Sequence, residues 1–226
     1  MALRIVMLGA PGAGKGTQAK RIARKYRLVH ISTGEIFRDH VRRNTAIGAK
    51  IQSALELGQL MSDALTCEVL WRRLEEPDCA DGFVIDGFPR SLAQADALQV
   101  WLAARDESLD AAIELAVPDS EIIERTCARR SCSACGAIYN LKFDPPARMP
   151  YCDRPGCTGQ LVQRDDDTEV TLAERLRIFR RVSSLVHEFY DGLGLLRPID
   201  AAHLSPDALF QKIEEVVLSL GASEPA

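Results

Sequence analysis

The chain has 226 residues, of which 46% are hydrophobic, and its formal net charge is −4 at pH 7. This size suffices for one main globular domain with a buried core and an insertion, whereas no apolar run approaches the roughly 20 residues that a bilayer span requires. The acidic balance disfavours nucleic acid as the main partner. We therefore expect a cytoplasmic protein that binds neither membranes nor nucleic acids.

The first element predicts a phosphate-binding loop. Residues 3–8 are an apolar run typical of a buried parallel strand, and apolar residues between 19 and 26 recur at helical spacing. The glycine-rich segment 9–17 lies between them. Its glycines let backbone N–H groups point inward, the helix N-terminus adds partial positive charge, and Lys15 can pair with phosphate oxygens. The general pattern puts Ser or Thr directly after the lysine, whereas here Gly16 intervenes and the hydroxyl comes on Thr17. The alternative is a glycine-rich turn with a surface lysine, which the flanking strand and helix disfavour.

The next segment reads as a strand followed by several helices. Residues 28–32 have a short strand pattern, and helical patterns cover residues 51–57 and 65–74, the second preceded by the capping residues Ser62 and Asp63. This run is longer than a minimal crossover between two strands. We expect its helices to form a small flap over the edge of the sheet.

A carboxylate follows the next predicted strand. Residues 83–86 predict that strand, which ends in Asp86. Ligands gather at the carboxyl ends of strands in open α/β sheets, and an aspartate there can hold Mg²⁺ directly or through water. A turn or cap aspartate is the alternative, and the preceding phosphate-binding loop makes the magnesium role the better interpretation.

Two arginines mark the element after the fourth strand. Residues 111–117 predict that strand, and a helix is expected from residue 119 through residue 130. Arg125 and Arg129 are four residues apart, so they would share one face of the helix. Such a pair is either solvated or, at this edge of the sheet, available to a phosphate or a base.

Residues 131–167 predict an inserted subdomain. They are rich in Cys, Pro, Gly and Asp, they carry short β-like runs at 138–141 and 160–162, and they are too few to build a core of their own. Two cysteine pairs predict a structural zinc site with four thiolate ligands, closed to water, although the second pair is spaced more widely than usual. Its ligands are Cys132, Cys135, Cys152 and Cys157. Two disulfides are the alternative, which a reducing compartment disfavours. The remaining cysteines, Cys67, Cys79 and Cys127, are expected to be inert thiols.

The last third of the chain predicts a long helix, a strand and a final helix. Apolar residues recur at helical spacing from Leu172 to Phe189, residues 195–200 predict the last strand, and residues 206–220 predict the last helix.

In chain order, these motifs resemble those of adenylate kinases over nearly the whole sequence. The resemblance rests on GAPGAGKGTQ at 9–18, ISTG at 31–34, DGFPR at 86–90 with Gln94, KFDPP at 142–146, and RDDD at 164–167 followed by Arg175. The four cysteines resemble the zinc-bearing LID of the long bacterial form.

The resemblance implies a P-loop NTPase-like α/β fold, with a parallel five-stranded sheet in the order 2-3-1-4-5, flanking helices and a small zinc-bearing β LID. It implies a core of residues 1–33, 75–130 and 168–226, a helical NMP-binding flap of residues 34–74, and a LID of residues 131–167. It further implies a monomer that transfers the γ-phosphoryl group of ATP to AMP reversibly and in line, with Mg²⁺, giving two ADP in a lid-closed, arginine-rich site.

Site residues follow from the same resemblance. The implied ATP site consists of Gly12, Ala13, Gly14, Lys15, Gly16, Thr17, Arg125, Arg129, Ile138, Tyr139 and His203, the last near a position whose backbone carbonyl meets the adenine. The implied AMP site consists of Thr33, Arg38, Leu60, Met61, Gly87, Phe88, Pro89, Arg90, Gln94, Arg164 and Arg175. The groups implied in catalysis are Lys15, Arg38, Arg90, Arg129, Arg164 and Arg175. Mg²⁺ is expected at Thr17 and Asp86, held through water. Asp166 and Asp167 resemble LID carboxylates that move inward on closure.

Three other functions remain open from the sequence. A kinase for UMP and CMP, or one that uses GTP as donor, is the nearest alternative, and Thr33 and the long LID argue against the pyrimidine enzymes. A zinc-ribbon nucleic-acid binder is disfavoured by the acidic charge and by the absence of interleaved aromatic and basic residues around the cysteines. A purely structural ATP-binding module is the third.

Overall fold

The computed structural model describes residues 2–57, 59–164 and 167–222. Its centre is a parallel five-stranded sheet, as predicted. The strands are β1 (Leu3–Gly9), β2 (Val29–Ser32), β3 (Gly82–Asp86), β4 (Ala111–Ala116) and β8 (Leu196–Asp200). Their order is β2-β3-β1-β4-β8, which confirms the predicted order 2-3-1-4-5, since β8 is the fifth strand of this sheet.

Helices flank the sheet and connect its strands. They are α1 (Lys15–Tyr26), α2 (Thr33–Arg42), α3 (Ala46–Glu56), α4 (Asp63–Leu74), α5 (Leu92–Ala103), α6 (Asp119–Cys127), α7 (Glu169–Gly192) and α8 (Pro206–Ser219). Several begin at a serine or threonine whose hydroxyl accepts the N–H three residues later, as Ser91 does for α5 and Thr168 does for α7. The sequence analysis did not predict α5, and it placed the start of α3 five residues too late.

The core lies on both faces of the sheet. On one face, the strand residues Val6 and Ile85 pack with Leu98 of α5 and Tyr190 of α7. The other face packs against α1 and α8, and its largest members include Ile5, Met7, Ile22, Ile113 and Ile213. Because both faces are covered, the central strands β1 and β3 are mostly apolar along their length instead of alternating.

A second, smaller sheet lies in the inserted segment. It consists of β5 (Arg129–Cys132), β6 (Ile138–Asn140) and β7 (Leu161–Val162), which are antiparallel in the order β6-β5-β7. The predicted helix through residue 130 is therefore wrong: α6 ends at Cys127 and Arg129 begins a strand. Arg125 and Arg129 consequently do not share a helical face. Periodicity favoured the helix because it is blind to the pairing of Arg129 with Asn140, a partner remote along the chain.

Within the three described stretches, none of the helices combines the length and the hydrophobicity that a membrane span requires.

The parallel sheet brings the predicted site residues together. Met7 of β1 pairs in register with Asp86, the last residue of β3, so the loop after β1 begins beside that carboxylate. The carboxyl ends of β2 and β4 lie at the same edge, and the ligand site is therefore expected there.

Candidate functional site

A cavity of about 790 Å³ opens at the carboxyl edge of the central sheet. Its walls come from the loop after β1, from α2, from the loop after β3, from the small sheet and from α7. The predicted site residues that line it are Gly12, Gly14, Lys15, Gly16, Thr17, Arg38, Leu60, Asp86, Gly87, Phe88, Pro89, Arg90, Arg125, Arg129, Ile138, Tyr139, Arg164, Arg175 and His203. Residues from distant parts of the sequence thus converge on one volume.

A smaller cavity of about 50 Å³ adjoins the first. Thr33, Met61 and Gln94 line this smaller cavity. Arg38, Leu60, Gly87, Arg90 and Arg175 line both cavities. The predicted acceptor residues therefore surround a pocket continuous with the larger cleft.

Ala13 is the one residue of the predicted loop set that faces away from the cavity. Its side chain is fully buried in the core beneath the loop, and its N–H donates to Ala10 O at 3.1 Å. Only its backbone is therefore close to the phosphate-binding surface.

The structure explains why a glycine follows the loop lysine. A Cβ built on Gly16 would lie 2.9 Å from Asp86 Oδ2, closer than a carbon atom and that oxygen can approach. Gly12 is constrained in the same way, because its φ is +85° and a Cβ there would lie 2.3 Å from Thr126 Oγ1. The departure from the general loop pattern thus allows Asp86 to lie directly against the loop.

The Lys15 ammonium group is folded back onto the loop. Its Nζ donates to Gly9 O at 2.7 Å and to Ala10 O at 2.8 Å. Burial lowers its pKa to about 8, the attraction of Asp86 opposes this shift, and the charges of Arg90, Arg175 and Arg129 add to it. The ammonium group therefore loses its proton more readily than a lysine in water does, and a polyphosphate beside it would stabilise the charged form.

Hydrogen bonds fix the loop after β3 against α2. Thr33 Oγ1 donates to Gly87 O at 3.0 Å, and Arg90 Nε donates to the same carbonyl oxygen at 2.7 Å. Gln94, which is 2% exposed, accepts the Arg90 backbone N–H at 2.8 Å and donates to Asp63 Oδ1 at 2.7 Å. The predicted acceptor residues therefore form one connected network.

Arginines of the small sheet are held by neighbouring polar groups. Arg129 forms a two-point ion pair with Asp167, in which Nε lies 2.8 Å from Oδ2. Arg164 Nε donates to Ser131 Oγ at 2.9 Å. Asp167 is fully buried in this pair, and Asp166, the other predicted LID carboxylate, lies outside the described residues.

Glu121 organises the opposite wall of the cleft. It forms an ion pair with Arg125, one helical turn further along α6, and it accepts the backbone N–H of His203 at 3.0 Å. The guanidinium of Arg125 also donates to Leu204 O at 3.3 Å. The side chain of His203 is 87% exposed, and the residue borders the cavity.

The four predicted metal ligands form one cluster. Their sulfur atoms all lie within 4.8 Å of one another, with Cys132 and Cys157 3.6 Å apart and Cys135 and Cys152 3.7 Å apart. Sulfur ligands about 2.3 Å from a tetrahedral ion would be about 3.8 Å apart. The cluster therefore fits a structural metal ion such as zinc, and all seven cysteines carry free thiols.

Polar contacts favour the thiolate form at two of these sulfurs. Backbone N–H groups, foremost that of Cys135, lower the pKa of Cys132 to about 6. The hydroxyl of Tyr139, 3.2 Å from the sulfur of Cys152, lowers the pKa of that thiol. Tyr139 also lines the large cavity, so its ring lies between the cluster and the cleft.

Two residues with evident roles in this site were missed by the sequence analysis. Asp63 was assigned only to a helix cap, yet it holds Gln94. Glu121 was not assigned, although its i,i+4 spacing from Arg125 was a visible signal for an ion pair. No local pattern links Asp63 to Gln94, because the two residues are 31 positions apart.

The sequence matches the protein family described as Adenylate kinase over residues 7–195. It is 44% identical over 205 residues to an adenylate kinase of Lachnospira eligens, and the match covers 91% of this chain and 95% of that protein. It is 45% identical over 198 residues to an adenylate kinase of Clostridium beijerinckii, covering 88% and 91% of the two chains. It is 41% identical over 224 residues to one of Clostridium perfringens strain 13, covering 99% and 100%.

Proposed function

The chain belongs to the adenylate kinase family, a nucleoside monophosphate kinase family that transfers phosphate between ATP and AMP, and from this premise we propose how its own residues perform the transfer. The reaction is reversible, in-line and Mg²⁺-dependent, and it converts ATP and AMP into two ADP. It takes place when the LID, residues 131–167, and the flap, residues 34–74, close over the core of residues 1–33, 75–130 and 168–226.

One observation carries this proposal above the others: Lys15 and five arginines from separate parts of the chain line a single cavity. The arginines are Arg38, Arg90, Arg129, Arg164 and Arg175. Transfer of a γ-phosphoryl group passes through a loose transition state that needs alignment and charge stabilisation more than covalent help. Six fixed positive groups around one volume provide both, and no general base is required.

The phosphoryl donor, ATP, is held by the loop after β1 and by the cleft wall formed by Glu121, Arg125 and His203. The backbone of residues 12–17 receives the phosphates, and Lys15 releases the carbonyls of Gly9 and Ala10 to follow the charge as it moves. Arg125 stacks on the adenine, with Ile138, Tyr139 and the backbone of His203 nearby.

The acceptor binds where the smaller cavity joins the larger one. Arg38 and Arg90 pair with its phosphate, Gln94 meets the edge of its base, and Thr33, Leu60, Met61 and Gly87 shape the pocket. Phe88 and Pro89 belong to the same loop and border the larger cavity. Arg175 lines both cavities, which suits a group that contacts the phosphoryl in transit.

The residues beside the loop fit a magnesium ion. The Thr17 hydroxyl and the Asp86 carboxylate line the same cavity, and they are the hard oxygen donors that Mg²⁺ prefers. When bound with ATP, Mg²⁺ neutralises phosphate charge. Thr17 and Asp86 would hold it through water, and the lack of a side chain on Gly16 leaves room for the carboxylate at that point.

Zinc has a structural role in this proposal. Four thiolates, those of Cys132, Cys135, Cys152 and Cys157, would complete its tetrahedral coordination and leave no position for water. Bound by these four thiolates, such an ion would keep the LID rigid during closure. A rigid LID excludes water, which would otherwise compete with AMP as the phosphoryl acceptor.

We also propose that the protein acts as a monomer in the cytoplasm. Residues of one chain supply both cavities and the complete cysteine cluster, and a cluster of four thiols suits a reducing compartment.

The deciding experiment is an acceptor panel. ATP with Mg²⁺ is offered together with AMP, GMP, UMP or CMP, and phosphoryl transfer to each is measured. We expect AMP to be preferred by at least ~100-fold in kcat/KM, because the keto bases leave buried polar groups unpaired and the single ring of cytosine leaves part of a purine site empty. Equal use of CMP would overturn the acceptor assignment and favour a pyrimidine nucleotide kinase.

A further inference from the structure

The side-chain amide of Gln94 lies between two hydrogen-bonding partners, and each partner can pair with only one end of the amide. Its Oε1 lies 2.8 Å from the backbone N–H of Arg90, which can only donate, and its Nε2 lies 2.7 Å from Oδ1 of Asp63. An ionised carboxylate can only accept. If the amide were turned over, its NH₂ group would face the Arg90 N–H, donor against donor, and its oxygen would face the Asp63 carboxylate, acceptor against acceptor. The two contacts select the same orientation, and Gln94 itself is 2% exposed, so the reversed amide would leave its own buried groups poorly paired.

This orientation decides what Gln94 can offer to a ligand. A primary amide has two N–H donors and two acceptor lone pairs, and the two contacts use one of each. One N–H and one lone pair remain, on a side chain that lines the smaller cavity. This pair complements a base that presents an amino donor beside an unprotonated ring nitrogen, as adenine and cytosine do. Hypoxanthine, guanine and uracil present a carbonyl oxygen beside a ring N–H, which is the reverse pattern.

We propose that Asp63 is a positioning residue that fixes the polarity of the Gln94 amide and thereby makes the acceptor site select amino bases over keto bases. Asp63 does not touch the nucleotide in this scheme, since it acts through Gln94. The inference rests on the proposed assignment of Gln94 to the acceptor base.

A second role of Asp63 must be separated from this one. Asp63 is the first residue of α4, where a carboxylate interacts favourably with the helix dipole. The hydroxyl of Ser62 already caps this helix by accepting the N–H of Leu65 at 3.3 Å. Loss of the dipole interaction would destabilise α4 and lower the activity equally with every acceptor. Loss of the fixed amide orientation would instead change the preference between bases.

The experiment compares AMP, IMP and CMP as acceptors for the wild type and Asp63→Asn. The asparagine side chain both donates and accepts, so only the Arg90 N–H still opposes the reversed amide. We expect the ratio of kcat/KM for AMP to that for IMP to fall by about tenfold, the scale on which a hydrogen bond to a charged group discriminates. The ratio for AMP to CMP should stay within twofold, since both bases present the same pattern. Asp63→Glu should restore most of the selectivity against IMP.

Two further variants keep the result interpretable. Asp207→Asn removes the same charge from the first turn of α8, where the side chain is 84% exposed and pairs with Arg21, and it should leave all three acceptors unchanged. Asp63→Ser is the second test variant, because serine suits a helix N-terminus and should fold if the asparagine variant does not.

The outcomes distinguish this inference from the function on which it rests. A parallel loss for AMP, IMP and CMP, with unchanged ratios, would make Asp63 a helix-terminus residue only and overturn the inference. Equal use of AMP and IMP by the wild type, or an unchanged ratio in Gln94→Ala, would instead show that Gln94 does not read the base. In that case the acceptor assignment itself would be wrong.

Discussion

Arg129 and Asp167 join the two ends of the inserted small sheet. Arg129 is the first residue of β5 and Asp167 lies just before α7, so a pair 38 residues apart in sequence closes the base of the segment. Asp167 is fully buried, and Arg129 also lines the large cavity. The contact that anchors the insertion thus also positions a charge in the cleft.

Replacing Asp167 with asparagine should therefore destabilise the protein. The substitution keeps the shape but removes the carboxylate from a largely buried guanidinium, which costs about 3 kcal/mol in comparable buried pairs. Urea unfolding followed by circular dichroism measures the change in the free energy of unfolding. Glu174→Gln is the matched control, because Glu174 pairs with Arg177 at the exposed surface and its loss should change stability very little. Equal, small effects of both variants would show that the buried pair contributes no more than a surface pair.

The lowered pKa of Lys15 predicts a pH dependence of ATP use. In the ligand-free protein this pKa is about 8, so the ammonium that we propose to pair with phosphate is lost as the pH rises through that value. We expect kcat/KM for ATP to fall above pH 8, since this parameter reports ionisations of the free enzyme. At saturating ATP, the phosphates stabilise the ammonium, and the fall in kcat should come at higher pH. A flat profile of kcat/KM up to pH 10 would contradict this prediction.

Metal removal should lower stability more than activity. The four cysteines can fill every position around a tetrahedral ion and lie outside the carboxyl edge of the central sheet, so a metal bound there would contribute to folding and not to the chemistry. We expect a chelator to lower the thermal melting temperature, while metal-free protein retains part of its activity below that temperature. Activity that falls in strict proportion to bound metal would argue for a direct role. Re-addition of zinc should restore the melting temperature.

Gly16 should not tolerate the serine of the general loop pattern. Its added Cβ would meet Asp86 Oδ2 at 2.9 Å, and displacement of that carboxylate should weaken Mg²⁺-ATP use by about tenfold in kcat/KM, the cost of roughly 1.4 kcal/mol. Steady-state kinetics at varied Mg²⁺ test this. Gly192→Ala is the control, because nothing lies within 4 Å of the Cβ that it would add. Wild-type kinetics in Gly16→Ser would show that Asp86 moves aside without consequence.

Local sequence patterns were sufficient to predict several of the main elements of this protein. The apolar run before Lys15, the glycines around it and the helix after it predict a phosphate-binding loop, because strand, turn and helix preferences act over a few residues. The strand that ends in Asp86 and the cluster of four cysteines were also predicted from local patterns. The family resemblance supplied the strand order, which the fold confirmed. The roles of the arginines and the boundaries of the LID and flap stay predictions.

Contacts between remote residues were decided only by the tertiary structure. Arg129 was placed on a helix by periodicity, but its backbone pairs with β6 and its side chain with Asp167. Asp63 was recognised as a helix-terminus residue, and its contact with Gln94 depends on the packing of α4 against α5. Gly16 was noted as a departure, and its reason is the position of Asp86 on a neighbouring strand. In each case the partner is distant along the chain, and no pattern within one element can specify it.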